Sequence, residues 1–265
     1  MTYLDLVLSG LLRGLSAVLP MDVMAALGFS TPGTPPDPAV QSVLAAAAAL
    51  GTVVALAIAL FPDFALLGRG LWKALKRRPD HASRLLLMIV MASVPSLLIL
   101  ALPDGLAPHW TPLTRAVAVI VLGLLLGAAD HLGVTVRDME HLTPSHYAII
   151  GLIRAALGFS GLATQDGVIV LSRLFGCERD QTARLSLLLL ILPLSAQAVA
   201  AARTAAVSAV HAPLFDMVLV GVCGLVASLA ATAFLLSWLK RRGFMLFALA
   251  HLAVAGWMLL GAFWP

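Results

Sequence analysis

"GLLRGLSAVLP", residues 10–20, sets Arg13 inside a run that is otherwise uncharged from Leu6 onward. The chain around it is 61% hydrophobic and 11% charged over 265 residues, with a mean hydropathy of +1.00. Such a composition belongs in a bilayer. A guanidinium at bilayer depth costs at least about 2.5–3.5 kcal/mol. What Arg13 faces is therefore the question that decides how the chain is read.

Working outward, uncharged apolar runs occupy 39–61, 85–102, 116–129, 185–202, 217–239 and 244–264. Each reaches or approaches the length an α-helix needs to span the hydrocarbon core, which predicts six transmembrane helices. Thirteen of the seventeen Lys and Arg residues fall on one side of that arrangement, among them Arg69 to Arg84, Arg173, Arg179, Arg184 and Lys240 to Arg242. The positive-inside rule makes that side cytoplasmic and places both termini outside. The net positive charge thus sets topology, and no nucleic-acid partner is expected. Asp5, Arg13 and Pro20 argue against a cleaved signal segment at the start. Cys177 and Cys223 read as small apolar fillers.

Two stretches, 3–29 and 147–175, are apolar yet broken by Gly, Pro, Ser and single charges. Broken backbone at membrane depth is tolerated where it is buried in protein or lines a wet cavity, so both are predicted as re-entrant helical hairpins and as site candidates. Aligned without a gap at an offset of 141, Gly10 matches Gly151, Leu11 matches Leu152 and Arg13 matches Arg154. Three crossings follow each hairpin, and an odd number inverts the second copy. The predicted fold is an all-α integral membrane protein with an inverted repeat, 1–130 and 145–265 within one membrane domain. Such repeats place their ligand near the midplane. Arg13 and Arg154 are then candidates to share one buried anion. The alternatives are that each satisfies backbone carbonyls or snorkels to an interface.

"RGLSAVLP", 13–20, followed by Met21 and Asp22, resembles the first signature of the undecaprenyl-diphosphate phosphatases, E-G-x-T-E-F-L-P-V-S-S-T-G-H. The second broken segment sits where that family carries P-G-x-S-R-S-G, and "ERDQTARLSLLLLILP", 178–193, resembles its R-x-x-A-x-x-F-S-F-L-L-x-x-P helix. The resemblance implies a phosphatase acting on a polyprenyl diphosphate carrier of envelope synthesis, in the bacitracin-resistance class. It also implies Mg²⁺ or Ca²⁺ held by the two signature glutamates, but those positions are Arg13 and Ala17 here. The serine pair falls on Asp22 and Val23, the histidine on Ala26, and the second motif's serine and arginine on Ala163 and Thr164. Leu19, Pro20, Gly14 and the hydroxyl of Ser16 remain.

Arginine binds phosphate directly in a bidentate fork but cannot act as a general base. The candidate catalytic groups are therefore Asp22, Asp166 and Thr164, and the candidate substrate-binding groups Arg13, Arg154, Ser16, Ser160 and Gln165; no metal ligand is assigned. Asp22 and Asp166 have a second reading as salt-bridge partners of the two arginines or as helix caps. The functional readings are a diverged phosphatase, a protein that binds or translocates polyprenyl phosphate, and a ligand-free scaffold partner. Pairing of two copies is left open. His131, His141 and His146, with Asp130, Asp138 and Glu140, read as a solvated mixed-charge loop, and His251 as a packed, hydrogen-bonded histidine.

Overall fold

The structure is a computed structural model that describes residues 3–20, 38–78, 80–102, 110–133, 138–207, 213–239 and 242–263. Asp22 lies outside the described residues. All regular structure among them is helical: α1 (Tyr3–Val18), α2 (Pro38–Ala59), α3 (Phe61–Leu75), α4 (His81–Leu100), α5 (Pro112–Leu132), a 3₁₀ turn at Met139–His141, α6 (Pro144–Phe159), α7 (Thr164–Leu174), α8 (Arg179–Val207), α9 (Leu214–Leu239) and α10 (Met245–Phe263). Five of them, α2, α4, α5, α8 and α9, are long and apolar enough to cross a membrane, and α10 adds a shorter apolar helix over Met245–Leu260. Leucine and valine stand exposed along these helices, as at Leu87, Leu98, Leu124, Val218 and Leu249. A surface of that kind is unstable in water and satisfied by lipid, so the chain is an integral membrane protein.

Lipid tails are as apolar as leucine, so helix association needs close packing and polar bonds. The sequence supplies both. A Cβ on Gly51 of α2 would lie 2.1 Å from the carbonyl oxygen of Gly221 on α9. On Gly10 and Gly14 of α1 it would meet the carbonyls of Val220 and Gly224 at 2.7 and 2.5 Å. Where α2, α1 and α9 touch, the hydroxyls of Thr52 and Ser228 are 2.8 Å apart, and Ser228 Oγ also donates to the Gly14 carbonyl at 3.1 Å. Across the molecule Gly151 of α6 approaches Ala92 of α4 in the same way, and Gly123 of α5 sits against His251 of α10.

Helix ends gather at a polar knot. Asp130 at the end of α5 accepts from Arg179 Nε at 2.7 Å and from the Phe244 amide at 3.0 Å, with Arg173 Nε 3.8 Å away. Arg173, 1% exposed, donates to the carbonyls of Gly133 and Cys177. This ties the ends of α5, α7, α8 and α10 together. Nearby, Arg184 bridges Asp63 of α3 and Asp180 of α8 at 2.9 Å each. Of the residues read as a solvated mixed-charge loop, His131, Asp138, Glu140 and His141 are exposed, whereas Asp130 is buried in this knot; beside them Met139 and Leu142 are buried, Tyr147 Oη donates to the Met139 carbonyl, and His146 stacks on Phe175.

The chain after the first apolar run, where basic residues cluster, is helical. It forms α3, with Pro62 in its first turn, Phe64, Leu66 and Leu67 against the core, and Phe61, Leu71, Trp72 and Leu75 exposed. Asp80 caps the following helix by accepting from the Ser83 amide. The Lys73 ammonium, 2.7 Å away, and that amide hold the Asp80 carboxyl at about 2.

These contacts set the cost of changing a glycine. Gly51→Val forces two backbones apart and is expected to destabilise by about 1–3 kcal/mol. Gly68→Ala, where an added Cβ meets nothing within 4 Å, is expected to gain about 0.5–1 kcal/mol from helix propensity. Thermal unfolding in detergent checks both, and equal effects would contradict the packing.

Candidate functional site

α1 and α6 each carry one arginine toward the same place. Together with α4, α7 and α8 they enclose a cavity of about 510 Å³, and both Arg13 and Arg154 line it. Arg154 is 2% exposed; its one hydrogen bond among the described residues runs to Ser96 Oγ of α4 at 3.3 Å. The Nε atoms of Arg13 and Arg154 are buried without a partner, and neither guanidinium is ion-paired among the described residues. A guanidinium is always charged, so two of them beside one cavity make a site of strong positive potential.

The α6–α7 connection shapes the far wall. Gly161 takes φ +66, a left-handed conformation that favours glycine, and Arg115 of α5 reaches its carbonyl at 3.4 Å. α7 then begins without a side-chain cap, and its first two residues, Thr164 and Gln165, line the cavity. An uncapped helix N-terminus offers backbone N–H groups and the positive end of its dipole to an anion. Gln165 Nε2 donates to the Ala17 carbonyl at 3.3 Å and so joins α7 to α1, while its Oε1 is buried without a partner.

Of the residues singled out from sequence, Arg13, Arg154, Ser16, Thr164 and Gln165 therefore line one cavity. Ser160 does not; its hydroxyl turns back to the Ala156 carbonyl at 2.9 Å. Asp166 does not line it either. It is fully buried, and its Oδ2 lies 2.9 Å from His251 Nε2, so it pairs with that histidine instead of with Arg154. Sequence reasoning missed Ser96 and Gln197, which add a hydroxyl and an amide from α4 and α8. The signal for each was slight: a polar residue among hydroxyls in an apolar run, Ser96 directly after Pro95 and Gln197 four residues after Pro193.

A hard divalent cation needs several oxygen ligands, carboxylates foremost. The described lining offers two guanidiniums, hydroxyls and amides, and no carboxylate. This donor set fits an anion and does not fit Mg²⁺ or Ca²⁺.

A family model described as bacitracin resistance protein BacA matches residues 6–257. The chain belongs to that family. It is similar to undecaprenyl-diphosphatase 1 of Paramagnetospirillum magneticum, 29% identical over 256 residues that cover 95% of this chain and 94% of that protein. Undecaprenyl-diphosphatase 1 of Rhodospirillum rubrum is 30% identical over 254 residues, 92% of this chain and 89% of that protein. The undecaprenyl-diphosphatase of Erythrobacter litoralis is 27% identical over 283 aligned positions, covering 96% and 97%. Within this family the chain presents arginine at position 13, where the signature described above has glutamate.

A buried charge with one long hydrogen bond is a burden on folding. Replacing it by an apolar group of similar size is often stabilising by about 1–4 kcal/mol. Arg154→Met is therefore expected to raise the unfolding midpoint in detergent, whereas a structural arginine would give a lower one.

Proposed function

We propose that the cavity holds the phosphate head of a polyprenyl lipid, with Arg13 and Arg154 as its two charged clamps. The observation that carries this reading is that two guanidiniums, that of Arg154 buried and that of Arg13 partly so, line one cavity without ion-pair partners among the described residues, in a membrane protein whose relatives are named undecaprenyl-diphosphatases. On this reading Ser16, Thr164, Gln165 and the first amides of α7 donate to the remaining phosphoryl oxygens, and the polyprenyl chain leaves toward lipid.

The topology proposed with it has six crossings, α10 being the sixth, and two hairpins entering from opposite faces in an inverted repeat, 1–130 and 145–265. It is supported by the exchange of equivalent contacts: α1 lies on α9 as α6 lies on α4, while α2 meets α8 and α5 meets α10. With the basic ends inside, the cavity opens near the C-terminal end of α4, toward the outer face of an inner membrane, and both termini lie outside.

As a diverged phosphatase, the site would stabilise charge on the transferring phosphoryl group through its arginines, with the Thr164 hydroxyl as candidate nucleophile and Asp22 as candidate base. A second reading, binding or translocation without hydrolysis, is favoured by the lack of a carboxylate or imidazole among the described lining residues.

Two measurements separate these. A polyprenyl phosphate in detergent is expected to bind in the presence of EDTA, and Arg13→Ala and Arg154→Ala each to weaken it by roughly 1.5–3 kcal/mol, about 10- to 150-fold. Unchanged affinity in both variants would remove the clamp. Separately, phosphate release from a polyprenyl diphosphate, abolished in Asp22→Ala and Thr164→Ala, is the outcome expected of a phosphatase. Binding with no release establishes the second reading.

A further inference from the structure

Asp166 and His251 form a buried pair that the clamp does not use. His251 is 3% exposed and Asp166 fully buried; both lie within the helical body, on α10 and α7. The imidazole stands between two oxygens, with Nδ1 2.8 Å from the Phe247 carbonyl and Nε2 2.9 Å from Asp166 Oδ2. A carbonyl only accepts, so Nδ1 carries a hydrogen. A neutral imidazole then has a bare Nε2 lone pair facing the carboxyl oxygen. The 2.9 Å contact becomes a hydrogen bond only if one further proton is present, either on Nε2 as imidazolium with carboxylate, or on the carboxyl as a donor to neutral imidazole. In both forms the pair is electrically neutral overall. That is the state burial demands, since an isolated carboxylate in such surroundings is far more costly.

We infer that Asp166 and His251 retain one shared proton and, through it, act as positioning residues that fix the first turn of α7, where Thr164 and Gln165 face the cavity. The positioning half rests on the proposed clamp; the shared proton does not. The geometry of the turn supports the assignment. α7 has no side-chain cap at Ala163; its first turn is tied to α1 by Gln165 on the Ala17 carbonyl and to α10 by Asp166 at its third position. Gly123 of α5 leaves the room that His251 occupies, since a Cβ there would lie 2.6 Å from the His251 Cβ.

Charged groups on the helices around the pair have bonds of their own. On α6, Arg154 bonds Ser96, Tyr147 bonds Met139 and His146 stacks on Phe175. On α5, Arg115 donates to Gly161, and Asp130 at the other end binds Arg173 of α7 and Arg179 of α8, beside exposed His131. On α8, Asp180 and Arg184 pair with each other, and Arg203 is exposed near the far end. α10 carries no other titratable side chain among its described residues.

The sign of the pH effect follows. In the unfolded chain above about pH 6.5 neither group binds the extra proton, so the folded state holds more protons and loses stability as pH rises. Asp166→Asn keeps the shape, and its amide donates to neutral Nε2 with no extra proton. His251→Gln does not remove that proton, because it leaves the buried Asp166 carboxyl alone, and burial then keeps the proton on that carboxyl.

The test is the unfolding midpoint in detergent from pH 6 to 10, with polyprenyl-phosphate affinity measured alongside. The wild-type midpoint is expected to fall on the alkaline limb and Asp166→Asn to flatten it, while Asp166→Ala lies lower throughout. A wild-type limb that is flat, or one that Asp166→Asn reproduces, overturns the shared proton. For positioning, Asp166→Ala is expected to weaken affinity by about tenfold or more and Asp166→Asn to restore most of the loss. Equal affinity in wild type and Asp166→Ala overturns it. If the wild type binds no polyprenyl phosphate, the clamp falls and positioning falls with it, while the midpoint profiles still decide the proton.

Discussion

The charge of a guanidinium cannot be shed, and in this molecule two such charges line one cavity without a carboxylate partner among the described residues. Other acidic groups are committed elsewhere: Asp63 and Asp180 to Arg184, Asp130 to Arg173 and Arg179, Asp80 to Lys73, Asp166 to His251. The contrast gives the cavity its meaning. Arginines at helix ends are neutralised where the fold needs struts, whereas Arg13 and Arg154 are held by surrounding packing and left with unused hydrogen-bonding capacity. Such an arrangement is stable only if the rest of the fold outweighs its cost, and it places the strongest local field of the interior at one point.

What outweighs it is contact at very short range. Gly10, Gly14, Gly51, Gly151 and Gly224 bring helix backbones together, and hydroxyls of Thr52 and Ser228 bond across them. The arrangement also explains where the arginines end up. Gly14 follows Arg13 directly and seats α1 on α9, while Gly151 lies three residues before Arg154 and seats α6 on α4. Each close approach fixes the rotation of its helix, and rotation decides which way the arginine faces.

Much of this was legible. Apolar run length found the long helices, because the demand that a bilayer makes on backbone hydrogen bonding leaves little else to build. The match of Gly10 and Arg13 with Gly151 and Arg154 singled out two residues that line one cavity. Less legible were features that depend on distant partners. α3 was not singled out because Asp63, Arg69 and Lys73 interrupt its apolar run, although Phe64, Leu67 and Leu71 recur at helical spacing. Asp166 and His251 are 85 residues apart, and no local pattern announces such a pair. Ser96 and Gln197 each look like one of several scattered polar residues in a span until the cavity joins them. Ser160 shows the reverse, a hydroxyl beside the right turn that bonds to its own helix.

Exchanging a carboxylate for a guanidinium at position 13 inverts the electrostatics of a phosphate site. A carboxylate repels phosphate and attracts it only through a bridging cation, so its grip depends on metal supply. A guanidinium attracts phosphate directly and permanently. Permanent attraction acts on a monophosphate as well as a diphosphate, because both present oxyanions to the same forks. A site of that kind holds its product nearly as well as its substrate, and uniform binding of this sort does not accelerate chemistry. Turnover then requires something that distinguishes the transition state, and the groups that could supply it, a base in the stretch that continues α1 and the hydroxyl of Thr164, must act beside two fixed positive charges. On the proposed function, binding is thus the property these residues would secure first, and hydrolysis would have to be built on top of it.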